Sequence, residues 1–299
     1  MNYLDMINSE NTDSKFYDWT EYRNELTDYI ISSIGGSIKK GSWIAIWGAG
    51  GCNDMDVEKL SKDYKLLLID QDVEKLSQVR DKLGLSSEVC KVADVNFWNI
   101  TDDDYEMFQA LLYDGADITD IDNFFQDLIN NMSPPINLQN YFVECSVAVG
   151  LASQLNARFA AILHLNKDKI EHLDKAKLNE LLNHMNKLAT ERLYVSIRQL
   201  TSTMVITGYE INTFYNIEDA NIYKEEIENV FEAGVYGGNF LSGKEQELIR
   251  VAGNEHWNRI IYNTILMDKL EDVGRCKVIN WPFTHDRIYN MLMVSLNCV

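Results

Sequence analysis

This sequence of 299 residues has little of several features that define special classes of protein. Its three prolines and 16 glycines are too few for a collagen-like or low-complexity chain. Its five cysteines are scattered, odd in number and without a CxxC spacing, which argues against a disulfide framework or a structural zinc site. No run of about 18 apolar residues occurs, so we expect no transmembrane helix.

Positive charge is also scarce. Lysine and arginine together number 27 against 46 acidic residues, a net charge of −19, and neither occurs between Val92 and Ala157. Such a field repels phosphate backbones and anionic lipid surfaces, so we expect neither a nucleic-acid nor a membrane partner. The first 15 residues have no basic region followed by an apolar stretch. We therefore expect no secretory signal, and with the reduced thiols this predicts a cytoplasmic protein.

Short apolar runs alternate with amphipathic segments along the chain. Strands are predicted at 42–47, 65–69, 88–92, 141–145, 203–211, 275–281 and 287–294. Helices are predicted at 16–34, 57–62, 73–83, about 147–163, 167–202, about 219–233 and 243–271. The alternation in the first hundred residues predicts a parallel sheet in an α/β domain. The last two strands are separated by a short turn and predict an antiparallel hairpin.

The sharpest local signal is the segment IWGAGGCND, which lies between the first predicted strand and a helix. Gly48 and Gly50 let the backbone turn tightly and approach a ligand, and amides at a helix N-terminus favour an anionic or polar group. Asp70 ends the next strand, 20 residues after Gly50. A carboxylate there can accept both hydroxyls of an adenosine ribose, so the pattern predicts an adenosine-containing cofactor.

The residues after the glycines indicate which cofactor this is. The NAD fingerprint has a third glycine where this chain has Asn53, followed by Asp54. A carboxylate beside a pyrophosphate would be repulsive, whereas a ligand with an ammonium group would use it. This favours S-adenosylmethionine, with an NAD-dependent oxidoreductase as the alternative.

Together these segments resemble a class I S-adenosylmethionine-dependent methyltransferase. Gly48 to Asp54 resembles the first motif, which holds the methionine part of the cofactor, and Asp70 falls at the ribose-binding acid. Asp94 and Val95 resemble the third-strand motif that binds adenine. The resemblance implies cofactor contacts from Trp47, Gly48, Ala49, Gly50, Asn53, Asp54, Asp70, Gln71, Asp94, Val95, Glu144 and Cys145, and from Tyr22 and Arg23 on an N-terminal helix.

The resemblance implies a Rossmann-like, mostly parallel seven-stranded sheet with helices on both faces and a C-terminal antiparallel hairpin. An N-terminal helical segment, 1–40, would lie over the cofactor site and precede the α/β domain, 41–299. Helical inserts at about 99–133 and 219–271 would form a substrate cap. The Asp/Asn-Pro-Pro-Phe/Tyr signature of nucleic-acid amino-methyltransferases is missing from the fourth strand, which argues against base modification.

The implied activity is methyl transfer to an oxygen or nitrogen of a small molecule or peptide, by a monomer or homodimer. Glu144 and Cys145 are candidate catalytic residues because they end the predicted fourth strand, and His256 is a candidate general base in the cap. The five histidines lack paired ligand spacing, so no metal site is expected. Aminopropyl or aminobutyryl transfer from the same cofactor remains open, as does a non-catalytic scaffold.

Overall fold

The computed structural model describes residues 18–132, 138, 141–232, 270–284 and 286–298. Its strands are β1 (Trp43–Trp47), β2 (Lys65–Asp70), β3 (Cys90–Asp94), β4 (Val143–Val149), β5 (Thr201–Phe214), β6 (Leu270–Thr284) and β7 (Arg287–Cys298). Its helices are α1 (Thr20–Ile34), α2 (Val57–Ser61), α3 (Val73–Lys82), α4 (Asp102–Tyr113), α5 (Ile118–Asn131), α6 (Leu151–Gln154), α7 (Ala157–Leu165), α8 (Lys175–Leu200) and α9 (Ile217–Glu232).

The strands form one seven-stranded sheet in the order β3-β2-β1-β4-β5-β7-β6. Strands β1 to β5 pair in parallel, and β7 lies antiparallel between β5 and β6. The predicted mostly parallel sheet and C-terminal hairpin are therefore confirmed. This order differs from the 3-2-1-4-5-6 order of the dinucleotide-binding fold, because the seventh strand is inserted before the sixth.

Both faces of the sheet are buried, which explains why the parallel strands are near-continuous apolar runs. In β1, Ile44 and Ile46 face the cluster that holds α1, α2 and α3, while Ala45 and Trp47 face the opposite cluster. That second cluster includes Phe108, which is fully buried among other phenylalanines. Burying a side chain of this size contributes roughly 2 kcal/mol to folding, so both clusters stabilise the sheet from which the site loops leave.

The insert predicted at about 99–133 is rich in acidic residues and folds into the helix pair α4 and α5, with acids at both helix starts. Thr101 and Asp104 form a reciprocal capping box at α4, and Asp117 and Asp120 form another at α5. The backbone amides of Asp120 and Thr119 lower the pKa of Asp117. Within the described part of the chain, no helix is long and apolar enough to cross a bilayer.

The fourth strand differs from its prediction. It runs from Val143 to Val149 instead of 141–145, and the helix predicted from about 147 is divided into the short α6 and α7. Val147 and Val149 are β-branched and favour a strand over a helix. The predicted helix 243–271 is also wrong at its end, because β6 begins at Leu270, and the rest of that prediction lies outside the described residues.

Candidate functional site

The loop after β1 turns back on itself at the carboxyl edge of the sheet. The amides of Gly48 and Ala49 both donate to the carbonyl of Ile69, at 2.9 and 3.1 Å. Gly48 has a φ of +68°, and a Cβ there would lie 2.8 Å from Cδ1 of Leu151. Glycine is therefore required at this turn for both backbone conformation and space.

A left-handed backbone also occurs in the same loop at a residue with a side chain. Cys52 has a φ of +52°, and its side chain is buried. Such a conformation costs on the order of 1 kcal/mol and is concentrated at functional sites, where surrounding contacts maintain it. Burial, with a further contribution from the nearby Asp54 charge, raises the pKa of the Cys52 thiol. The thiol is therefore neutral at neutral pH.

Asp70 ends β2 directly beside this loop. Its Oδ2 atom accepts a hydrogen bond from the Gly50 amide at 2.9 Å, and its Oδ1 atom accepts one from the Asp72 amide at 3.1 Å. Asp94 is its register partner at the end of β3, and the Val95 amide donates to the Asp70 carbonyl at 2.9 Å. The predicted first motif, ribose acid and third-strand motif thus meet at one edge. Gln71 follows Asp70 and is exposed.

Helix α1 is hydrogen-bonded to the second half of the loop. Nη1 of Arg23 donates to the carbonyl of Asn53 at 3.0 Å, and the Asp56 amide donates to Oγ1 of Thr27 at 2.9 Å. Both helix side chains are buried. The same Thr27 hydroxyl donates to the Arg23 carbonyl one turn earlier, at 2.7 Å. The guanidinium of Arg23 therefore bonds the protein's own loop, which the sequence pattern did not indicate.

Asp54, in the second half of the loop after β1, has a shifted pKa and affects the pKa values of its neighbours. Burial raises the pKa of its carboxyl to about 6, although the Arg23 charge and the backbone amides of Asp54 and Met55 lower it. Tyr22 lies next to it, and burial, followed by the Asp54 and Glu210 charges, raises the pKa of that phenol well above its usual value. Carboxylates of Asp54, Asp70 and Asp94 thus line an edge that favours a cationic ligand.

The carboxyl end of β4 is covered by aromatic rings. The chain turns at Gly150 with a φ of +64°, and a Cβ there would lie 3.2 Å from the ring of Trp281. Tyr22 of α1 stacks on Trp281, with centroids 5.4 Å apart and an interplanar angle of 14°. The buried Nε1 of Trp281 has no hydrogen-bond partner among the described residues. Helix α1 thus contacts the loop directly and reaches the end of β4 through Trp281.

Two residues predicted at the end of β4 lie at its beginning instead. Because the strand continues to Val149, Glu144 and Cys145 sit at the opposite edge of the sheet from Gly48. Oε2 of Glu144 accepts the amide of Trp43, the first residue of β1, at 2.9 Å. Cys145 is fully buried, and burial raises the pKa of its thiol. This placement corrects their assignment as catalytic and cofactor-binding residues.

Other predicted site residues have different outcomes. The indole of Trp47 donates to Oγ of Ser146 at 3.0 Å inside the core, so its side chain is directed away from the loop. Ala49 is buried beneath the turn, and its amide helps to hold it. His256 lies outside the described residues. Groups of three or more histidine, cysteine or acidic side chains able to hold a metal ion do not occur in the described ranges.

Thr27, Gly150 and Trp281 were not predicted as part of the site. Gly150 follows the apolar run VAV just as Gly48 follows IAIW, and this repeated pattern was the available signal. Nothing local to Thr27 or Trp281 points to the site, because each reaches it only through tertiary packing. Both are separated from the loop or turn that they contact by many residues.

The strand order and the site define a class of fold. Five parallel strands with an antiparallel seventh strand between the fifth and the sixth form the class I S-adenosylmethionine-dependent methyltransferase fold. Comparison of the sequence with protein families finds no matching family model. No curated protein matches the sequence either.

Solved methyltransferase structures resemble the chain at low identity. One is the N-methyltransferase NodS from Bradyrhizobium japonicum WM9, with 10% identity and a TM-score of 0.40 over 93% of this chain and 97% of that one. Another is a SAM-dependent methyltransferase from Methanosarcina mazei, with 9% identity and a TM-score of 0.40 over 89% of this chain and 97% of that one. The fold assignment rests on the strand order, not on these values.

Proposed function

We propose that this protein is a methyltransferase that binds S-adenosylmethionine at the carboxyl edge of its sheet and methylates an oxygen or nitrogen of a small molecule or peptide. The observation that carries the proposal is the Asp70 carboxylate, which accepts the Gly50 amide and so joins the glycine turn to the end of β2. A carboxylate held in that position is suited to the two hydroxyls of an adenosine ribose.

The charges of the site support a cationic cofactor over a dinucleotide. S-adenosylmethionine carries an ammonium and a sulfonium, both of which Asp54, Asp70 and Asp94 would attract. The pyrophosphate of NAD would be repelled by Asp54, which follows the position of the third glycine in the NAD fingerprint. The antiparallel β7, which interrupts the dinucleotide-binding strand order, supports the same choice.

When bound, the cofactor would supply a sulfonium methyl group for in-line displacement by the acceptor atom. The protein's contribution would be orientation: the turn at Gly48 and the Asp70 carboxylate hold one reactant, and the rings at Gly150 exclude water near the other. Tyr22 stays protonated at neutral pH because burial raises the pKa of its phenol. It is therefore a hydrogen-bond donor and not a base there.

Calorimetric titration of the purified protein with S-adenosylmethionine, S-adenosylhomocysteine and NAD tests this function. We expect micromolar binding of both adenosyl ligands and none of NAD. Asp70→Ala should weaken binding of the adenosyl ligands at least about tenfold, since it removes charge-assisted hydrogen bonds worth about 1.5–3 kcal/mol.

The matched control is Asp127→Ala, which removes an exposed carboxylate from α5 on the far side of the core. It should leave all three titrations unchanged. Binding of NAD alone would contradict the proposal and favour an oxidoreductase. No binding of any ligand by the folded wild type would favour a non-catalytic scaffold.

A further inference from the structure

Helix α1 makes a set of contacts whose role the fold alone does not explain. Arg23 is only 6% exposed, although guanidinium groups are rarely buried without a partner that requires them. Its Nη1 atom donates a hydrogen bond to the Asn53 carbonyl at 3.0 Å, and its Nη2 atom donates one to Oγ1 of Thr20 at 3.2 Å. One half of the group thus bonds the loop and the other half bonds its own helix.

The loop segment bonded by α1 is short and is held at both ends. At one end Arg23 donates a hydrogen bond to the Asn53 carbonyl. At the other end Thr27, one helical turn later, accepts one from the Asp56 amide. Asp54 lies between these two hydrogen bonds. Its carboxyl accepts hydrogen bonds from the amides of Asp54 and Met55 in the same segment, so the two bonds from α1 hold the backbone that carries this carboxyl.

We propose that Arg23 is a positioning residue for the cofactor: together with Thr27 it fixes the Asn53–Asp56 segment and so places the Asp54 carboxyl to receive the ammonium of the methionine moiety. The proposal rests on the proposed function for the identity of the ligand. It replaces the expectation that Arg23 itself contacts the cofactor. The influence of Arg23 on the pKa of Asp54, however, is present without ligand and can be measured separately.

The pKa of the Asp54 carboxyl depends on the ionisable groups around it. Among the described residues, the groups nearest Asp54 are Tyr22 and Arg23 from α1 and Cys52 from the loop. Asp56 lies beside Arg23, Glu210 beside Tyr22, and Asp70 and Lys75 act on Cys52. Burial raises the pKa of both Tyr22 and Cys52, so both are neutral between about pH 5 and 7. In that interval Arg23 is the cation in the described part of the chain that lowers the pKa of Asp54.

The pH dependence has a definite sign. The pKa of Asp54 is about 6 without ligand, and a bound ammonium would favour the ionised carboxyl and lower it. Affinity for S-adenosylhomocysteine should therefore rise from about pH 5 to pH 7 and then level off, because the ligand's ammonium stays protonated in this interval. Removing Arg23 should raise the midpoint of this rise.

The test compares Arg23→Gln with Arg23→Lys, Thr27→Val and the control Ser32→Ala. The first removes the charge, the second keeps the charge but not the two-armed geometry, and the third removes the partner of the Asp56 amide. Ser32 is exposed on the same helix, and its hydroxyl bonds only the helix at the Tyr29 carbonyl in the described structure. For each variant, calorimetry gives the dissociation constant for S-adenosylhomocysteine, and carbon-13 NMR gives the titration midpoint of the Asp54 carboxyl without ligand.

We expect Arg23→Gln to weaken binding about tenfold near pH 7 and to raise the Asp54 midpoint. Arg23→Lys and Thr27→Val should weaken binding severalfold with the midpoint near that of the wild type, and Ser32→Ala should change neither. An unchanged midpoint in folded Arg23→Gln would overturn the proposal. If that variant does not fold, wild-type affinity in both Arg23→Lys and Thr27→Val would overturn it.

Failure of the proposed function gives a different result. If the wild type binds no S-adenosylhomocysteine, the cofactor assignment fails, but the NMR midpoint still decides whether Arg23 controls the ionisation of Asp54. A midpoint that moves in Arg23→Gln would then support the electrostatic part of the inference for another cationic ligand. A midpoint that does not move would overturn it.

Discussion

At the scale of single residues, the site depends on a backbone conformation that glycine alone adopts easily. Gly48 has a left-handed backbone, and the space for a Cβ is occupied by Leu151. Gly48→Ala should lower the free energy of unfolding by about 2 kcal/mol, from the backbone penalty and the displaced leucine. It should also weaken binding of S-adenosylhomocysteine, because the turn that carries Gly50 to Asp70 would shift. Chemical denaturation and calorimetry measure the two effects.

Gly115 offers a matched control for this prediction. It has a φ of +76°, close to that of Gly48, but a Cβ there would meet nothing within 4 Å. It lies between α4 and α5, away from the glycine turn. Gly115→Ala should therefore cost about 1 kcal/mol and leave ligand binding unchanged. Equal losses of binding in both alanine variants would show that the effect at Gly48 is general destabilisation.

Some residues of the site could be predicted from the sequence, and others could not. Gly48 and Asp70 could be predicted because the glycine pattern and the strand-end acid are both local signals. Glu144 was misplaced because the strand boundary was placed four residues too early, and in a strand four residues move a side chain from one edge towards the other. Thr27 could not be predicted, because its role exists only once α1 packs against the loop.

At the scale of elements, α1 is joined to the far edge of the sheet as well as to the loop. Oε1 of Glu25 accepts hydrogen bonds from Nζ of Lys224 on α9, at 2.9 Å, and from Nζ of Lys277 on β6, at 2.8 Å. Burial alone would raise the pKa of Glu25, but these two lysines lower it below its usual value. This carboxylate therefore joins α1, α9 and β6.

Glu25→Gln should lower the free energy of unfolding by about 1 kcal/mol at neutral pH, since the three side chains are only partly exposed. The folded-state pKa lies below the unfolded value, so this contribution is complete above about pH 4.5 and is lost as pH falls through the folded pKa. The free energies of unfolding of wild type and variant, measured by urea denaturation, should therefore converge in acid.

The control for that prediction is Glu21→Gln, which changes the same charge on the exposed side of the same helix. Its effect should stay within about 0.5 kcal/mol. If the free energies of unfolding of the wild type and Glu25→Gln differ by the same amount at pH 7 and in acid, the ion pairs of Glu25 do not provide the predicted stabilisation.

Most elements could be predicted because strands and helices here have different apolar periods. One exception is the segment from Val147 onward, where small and apolar residues continue from β4 into the start of α6 without a polar interruption until Ser153. Gly150, with its left-handed backbone, separates strand from helix there. Length and pattern could not locate the boundary, since a buried strand and a buried helix are equally apolar.

At the scale of the whole molecule, the sheet order brings three chain-distant signals to one edge. The glycine turn follows β1, the proposed ribose-binding Asp70 ends β2 and Asp94 ends β3, and parallel pairing places all three side by side. The alternation of strands and helices predicted this parallel arrangement. The C-terminal hairpin was predicted, but the position of β7 between β5 and β6 was not, because the residue pattern of a hairpin does not say which of its strands pairs with the rest of the sheet.

The most direct measurement of the central claim is a crystal structure of the protein grown with S-adenosylhomocysteine. We expect the ribose hydroxyls within hydrogen-bond reach of the Asp70 carboxylate, and the methionine ammonium beside the Asn53–Asp56 segment held by Arg23. A ligand bound anywhere other than between the Gly48 turn and Asp70 would contradict it. So would a complex in which the amide of Gly50 has left Asp70 and the ribose lies elsewhere.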